Sequence, residues 1–333
     1  MRHDSVDLDQ PFLFITGSGR SGTTLLRSMF DSHPDMAIPG ESGFLWQRYK
    51  QYERAGQFDK GRFATELTSH RRFRRWGLDA DRVVAELSDP AVQGLADAVR
   101  CVFRMFADDK GKERYGDKTP GHILRLPLLA QYFPEARFVH LIRDGRNVAL
   151  SYLDIDEWGS SSVAEAAINW RKRVLKGRRD GMALGPERYQ EVRYEHLVEN
   201  PEKELRRLCE FADLEFHPSM LRYFERAPEV LTTEVHPHRH QGLHRPPTKG
   251  MRDWRKDMGD AEVARFEAIA GGALTEFQYP RRFEHVAASA RARATLEVSA
   301  ARLRLASKYV SAGFRRLQGF VRSDTALGRS GQS

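Results

Sequence analysis

An apolar run, Phe12 to Ile15, that ends in Gly17-Ser18-Gly19-Arg20-Ser21-Gly22 and resumes as the apolar-periodic stretch Leu25 to Phe30 leaves a chain few ways to fold. It reads as a buried strand, a glycine loop and a helix. His33-Pro34 closes the helix, because the residue before proline avoids the α region. Glycines let backbone N–H groups converge on a phosphate, and the helix N-terminus adds a partial positive charge, so the loop has the shape of a P-loop. A nucleoside triphosphatase carries Lys after the last glycine to reach the β and γ phosphates. Here that residue is Thr23. The loop therefore suits a single phosphate, with Arg20 inside it as a forked cation.

Further along, Phe138–Ile142 reads as a second buried strand and Tyr189–Tyr194 as a third, the latter followed by a helix from about Asn200 to Phe211. Residues 44–110 read as several helices rich in Arg and aromatics, with Pro90 as a break. Strands alternating with helices predict an α/β fold: a P-loop-like, three-layer domain with a central parallel sheet flanked by helices. The domain is expected over residues 1–285, with 44–110 as a helical insertion on the acceptor side and 286–333 as a C-terminal helical appendix. Residues 236–250 read as a loop. Its His236, His238, His240 and His244 have no acidic partner following them, and no metal is expected there.

The chain has 54 Lys and Arg against 46 Asp and Glu. From Val286 onward there are nine basic residues against two acids, which leaves 45 against 44 before it. The body is nearly neutral, so the charge does not point to nucleic acid. Cys101 and Cys209 are read as buried, reduced thiols. The opening MRHDSVDLDQ is polar and acidic, unlike a signal peptide. A cytoplasmic protein is expected.

GSGRSGTTLL followed by a helix and HPDM resembles the 5'-phosphosulfate loop of sulfotransferases that use 3'-phosphoadenylyl sulfate (PAPS). The nearest flavour is the tyrosylprotein and bacterial carbohydrate-type branches, where Arg replaces the lysine of cytosolic enzymes. Four more segments agree in order. They are Pro39-Gly40-Glu41; Tyr115-Gly116-Asp117-Lys118-Thr119-Pro120; FVHLIRDGRNVALS, with Arg143 and Ser151 eight residues apart; and Arg193-Tyr194-Glu195 with the late Lys249–Trp254 stretch, KGMRDW. The resemblance spans roughly residues 12–282.

It implies transfer of a sulfuryl group from PAPS, with PAP as product, to an acceptor hydroxyl by in-line displacement. Glu41 would be the base, and Lys118 and Arg20 the cations near the bridging oxygen and sulfonate. Ser21, Gly22, Thr23 and Thr24 would hold the 5'-phosphate. Arg143, Ser151, Lys249, Gly250 and Arg252 would read the 3'-phosphate, and Tyr194 would line the nucleotide. Arg146 is open between phosphate and solvent, Trp254 between adenine loop and core. Asp117 is read as a turn residue before Thr119-Pro120. The tyrosylprotein pattern has a small hydroxyl residue where Arg252 stands, which weighs against protein tyrosine. The acceptor is left as a sugar, a glycolipid or a small lipophilic alcohol. Two other readings stay open: a P-loop kinase or NTPase, which would need Lys at position 23, and a non-catalytic nucleotide- or lipid-binding module, which would not need Glu41 and Lys118 together.

In the tail, Leu296, Leu303, Val310 and Leu317 recur every seven residues among Arg302, Arg304, Lys308, Arg315 and Arg316. This is the pattern of a basic amphipathic helix. It can dock on its own domain, on a second subunit in a homodimer, or peripherally on the inner face of an anionic membrane.

Overall fold

β1 (Leu13–Gly17) is buried at every position and lies in the middle of a five-stranded, wholly parallel sheet. The computed structural model describes residues 10–54, 57–154, 162–234, 236–247, 252–289 and 292–300. The other strands are β2 (Met36–Ala37), β3 (Arg114–Lys118), β4 (Arg137–Ile142) and β5 (Tyr189–Arg193), in the order β2-β3-β1-β4-β5. Strand side chains alternate between faces, and the two cores follow that alternation. Phe12, Phe14 and Phe138 pack with Phe63, Phe73, Trp76, Phe103 and Phe133 on one face. Leu13, Ile15, Val139 and Leu141 pack on the other, against α1 (Thr23–Asp31) and the helix Pro201–Phe211. The three-layer α/β expectation holds.

Two expectations need correction. Arg114–Lys118 is a strand, and Asp117 is a buried strand residue rather than a turn. The apolar-run criterion misses β3 because its buried end carries Asp117 and Lys118, which take partners from other elements: Ser42 on Asp117, Glu41 and Glu234 on Lys118. The stretch read as loop at 236–250 contains a 3-10 helix, Pro237–His244.

The described residues within 1–148 and 170–253 form one compact unit, and those within 149–169 and 254–300 a second. In the second, the helix Asp260–Glu276 carries a buried Glu267, which accepts the N–H groups of Arg282 (2.8 Å) and Phe283 (3.1 Å). Residues 292–300 are helical, and Leu296 is exposed. Leu303, Val310, Leu317 and the basic residues around them lie outside the described residues.

Candidate active site

The loop between β1 and α1 is built for close approach. Gly22 caps α1 in the left-handed region (φ 95°), where no side chain caps the helix. A Cβ on Gly22 would stand 2.4 Å from Cδ2 of Tyr194, so both the backbone angle and the tyrosine require glycine. Arg20 also has a positive φ, 67°. Ser21 is fully buried, and its Oγ has no hydrogen-bond partner among the described residues. An orphaned buried hydroxyl beside an uncapped helix N-terminus fits an anion held by the loop.

Arg143 follows β4 and turns back toward the loop. Its Nη1 donates to the Arg20 carbonyl at 3.3 Å, and its guanidinium lies 4.4 Å from the centroid of the Tyr194 ring. Its Nε is buried without a hydrogen-bond partner among the described residues. Arg146, left open above, is fully buried and pairs with Asp144, donating from Nε at 3.0 Å and from Nη2 at 2.8 Å.

On the other side of the loop, Lys118 is buried at the end of β3. Its ammonium lies 3.4 Å from Thr24 Oγ1, 3.2 Å from Glu41 Oε1 and 2.9 Å from Glu234 Oε1. Glu234 is also buried and accepts Arg27 Nη1 at 2.7 Å. Arg27 is fixed in turn by the Ile38 carbonyl (2.9 Å) and Thr233 Oγ1 (2.6 Å). Burial opposes ionisation of Glu234, but the Lys118 ammonium and the Arg27 guanidinium outweigh it and hold the carboxyl well below the usual carboxylate range. Glu41 differs: its side chain is 34% exposed and has Arg72 3.9 Å from its second oxygen.

Gly19, Arg20, Thr23, Thr24, Glu41 and Glu234 line a pocket of about 170 Å³, which Arg72 and His240 also border. Burial pushes the His240 imidazole down to about 4, assisted by the Lys118 and Arg20 cations against the pull of Glu234. His240 is therefore neutral at physiological pH.

The structure thus brings together Arg20, Ser21, Gly22, Thr23, Thr24, Glu41, Lys118, Arg143 and Tyr194. Ser151 sits on the helix Gly145–Leu153, in a stretch that belongs to the second unit. Lys249 and Gly250 lie outside the described residues, and Arg252 just past them is half-buried. Sequence reasoning missed Arg27 and Glu234. The signal for Arg27 was present: one cation inside the apolar-periodic stretch from Leu25 to Phe30 has to be paired.

The profile of the sulfotransferase family matches residues 11–218, more than half of the chain, from β1 through β5 and Tyr194. The chain belongs to the sulfotransferase family. It is 27% identical over 225 residues to protein-tyrosine sulfotransferase 1 of Danio rerio, covering 65% of this chain and 57% of the relative. It is 26% identical over 225 residues to protein-tyrosine sulfotransferase of Drosophila melanogaster, covering 66% and 42%. The chain spans about half the length of these relatives. Among solved structures, the sulfotransferase domain from the curacin biosynthetic pathway superposes with a TM-score of 0.55 at 21% identity, covering 82% of this chain and 99% of that one. This sulfotransferase chain therefore has that fold.

Proposed function

We propose that this sulfotransferase moves the sulfuryl group of PAPS to an acceptor hydroxyl, with Glu41 as base and Lys118 and Arg20 as the cations. The observation that carries the reading is the 3.2 Å approach of Lys118 Nζ to a part-exposed Glu41 at the mouth of the phosphate loop. Sulfuryl transfer resembles phosphoryl transfer, in which positioning and charge stabilisation dominate. The acceptor O–H would give its proton to the Glu41 carboxylate as the new O–S bond forms and the S–O bond to the 5'-phosphate breaks. The charge left on that phosphate is what Lys118, Arg20 and the N–H groups of the loop would neutralise. Glu234, itself paired with Arg27, anchors the Lys118 ammonium beside Glu41, where it would serve the leaving oxygen.

Arg143 supports a 3'-phosphate in the same nucleotide, because its Nε edge is buried and unused among the described residues. For the acceptor, the tyrosylprotein relatives add protein tyrosine to the sugar, glycolipid or lipophilic alcohol considered from sequence; Arg252 weighs the other way. Incubation with sulfur-labelled PAPS and a panel of a tyrosine peptide, free sugars and long-chain alcohols tests the reading. Transfer to one class identifies the acceptor, and a protein that neither binds PAP nor consumes PAPS refutes the proposal. The basic tail is kept as a contact with an anionic membrane. In vesicle flotation at low salt the chain should float, and a full-length variant with Arg302, Arg304, Arg315 and Arg316 changed to Glu should not.

A further inference from the structure

The Glu41–Lys118 pair is backed by a second, buried contact one residue away on each side. Ser42 follows Glu41, and Asp117 and Thr119 flank Lys118. The Ser42 hydroxyl donates to Asp117 Oδ2 and lies 3.1 Å from His122 Nε2. The Ser42 N–H donates to Thr119 Oγ1 at 2.9 Å. Ser42, Asp117 and His122 are each at most 1% exposed. Side chains alternate along extended chain. Asp117 and Thr119 therefore face one way and grip Ser42, while Lys118 between them faces the phosphate loop.

Serine, histidine and aspartate are also the members of a nucleophilic triad, but this arrangement is not one. In a triad the carboxylate orients the imidazole and the imidazole serves the hydroxyl. Here the carboxylate takes the hydroxyl directly, His122 Nε2 is 3.7 Å from Asp117 Oδ2, and His122 Nδ1 has no partner among the described residues.

We infer that Ser42 is a positioning residue for the transfer reaction: held by Asp117 and Thr119, it sets the spacing between Glu41 and Lys118. The inference rests on the reading of Glu41 as base. The bond joining Glu41 to Ser42 has a fixed length, so clamping Ser42 at two atoms fixes where the Glu41 backbone enters the pocket. Glu41 itself is part-exposed, and among the described residues its side chain is steadied by the Lys118 contact and a long one to Arg72. A displacement of about 1 Å at a reacting group can cost roughly 100-fold in rate.

The test needs no knowledge of the acceptor, because water can take its place. Single-turnover hydrolysis of PAPS is followed as PAP released, alongside PAP affinity by calorimetry. Ser42→Ala should slow hydrolysis about 10- to 100-fold and leave PAP affinity unchanged, since the loop from Gly17 to Thr24 is untouched. Thr119→Val removes the acceptor of the Ser42 N–H at nearly constant volume and should act in the same direction; Thr119→Ser keeps that acceptor and should restore the rate. It also supplies an independent arm if Ser42→Ala fails to fold. In a Glu41→Gln background neither Ser42→Ala nor Thr119→Val should cost anything further, because residues that act as a unit are non-additive. Equal fractional losses in both backgrounds, or full activity of Ser42→Ala and Thr119→Val, overturn the clamp while leaving Glu41 as base. Full activity of Glu41→Gln alone removes the base reading itself.

Discussion

Arg143 and Tyr194 meet face to ring behind the phosphate loop, the guanidinium 4.4 Å from the ring centroid, while the same ring blocks any side chain at position 22. The strand-end arginine is thereby held by a cation–π contact and by the Arg20 carbonyl, and its Nε is buried without a hydrogen-bond partner among the described residues.

That nitrogen is where a 3'-phosphate would gain a charge-assisted bond, typically worth about 1.5–3 kcal/mol. Arg143→Ala should therefore weaken PAP roughly 10- to 100-fold and leave AMP almost unchanged. Isothermal calorimetry with both nucleotides checks it. Parallel losses for PAP and AMP would mean that Arg143 serves the loop rather than the 3' end.

Glu41→Gln keeps the size and the contact to Lys118 but removes the proton acceptor. Turnover on labelled PAPS should fall by about two orders of magnitude or more, with PAP affinity retained. If the variant turned over at the parent rate, another group would have to take the acceptor proton.

Glu234 is the buried anion between Lys118 and Arg27. Glu234→Gln leaves both cations less compensated in a dry site, and removing one partner of a buried ionic network typically costs about 3–5 kcal/mol. Urea unfolding at neutral pH should show a loss of that order. Because the native carboxyl is depressed, its contribution is present above the unfolded carboxylate pKa and is lost as pH falls through the native one. The difference between parent and variant should therefore shrink in acid. A difference that did not depend on pH would show that the charge is not what Glu234 contributes.

His140, on β4, is fully buried, with Nδ1 2.6 Å from the Tyr189 hydroxyl, which in turn donates to Glu191 at 2.9 Å. Burial, only partly offset by Glu191, pushes its imidazole from 6.5 down to about 4. Between those values the unfolded chain binds a proton that the native state does not. Stability should thus fall as pH drops through that window and be fully present above it. At most about 3 kcal/mol is involved. Unfolding curves of His140→Gln should show a shallower acid slope over the same window, and an unchanged slope would assign the acid sensitivity to other groups.

How much could be read without coordinates depended on the kind of signal. β1, the glycine loop, α1 and β4 follow from apolar runs and glycine punctuation, and these are local properties of the chain. Glu41, Lys118 and Arg143 were legible only as matches to a family pattern, since a glutamate or lysine in a short polar segment looks like a solvated one. β3 was illegible because its buried positions hold Asp117 and Lys118, and a strand that buries polar side chains has no apolar alternation to show.

The sequence by itself determined that a glycine loop joins a buried strand to a helix in a parallel α/β sheet. That conclusion needs only hydrophobic runs, glycine punctuation and the alternation of strands with helices. Only the tertiary structure decided which charges are functional neighbours. Lys118 and Glu234 are 116 residues apart in sequence, and Arg27 and Glu234 are 207 apart. Pairing across such separations is driven by the cost of burying a charge alone, which is a property of the packed interior and not of any segment.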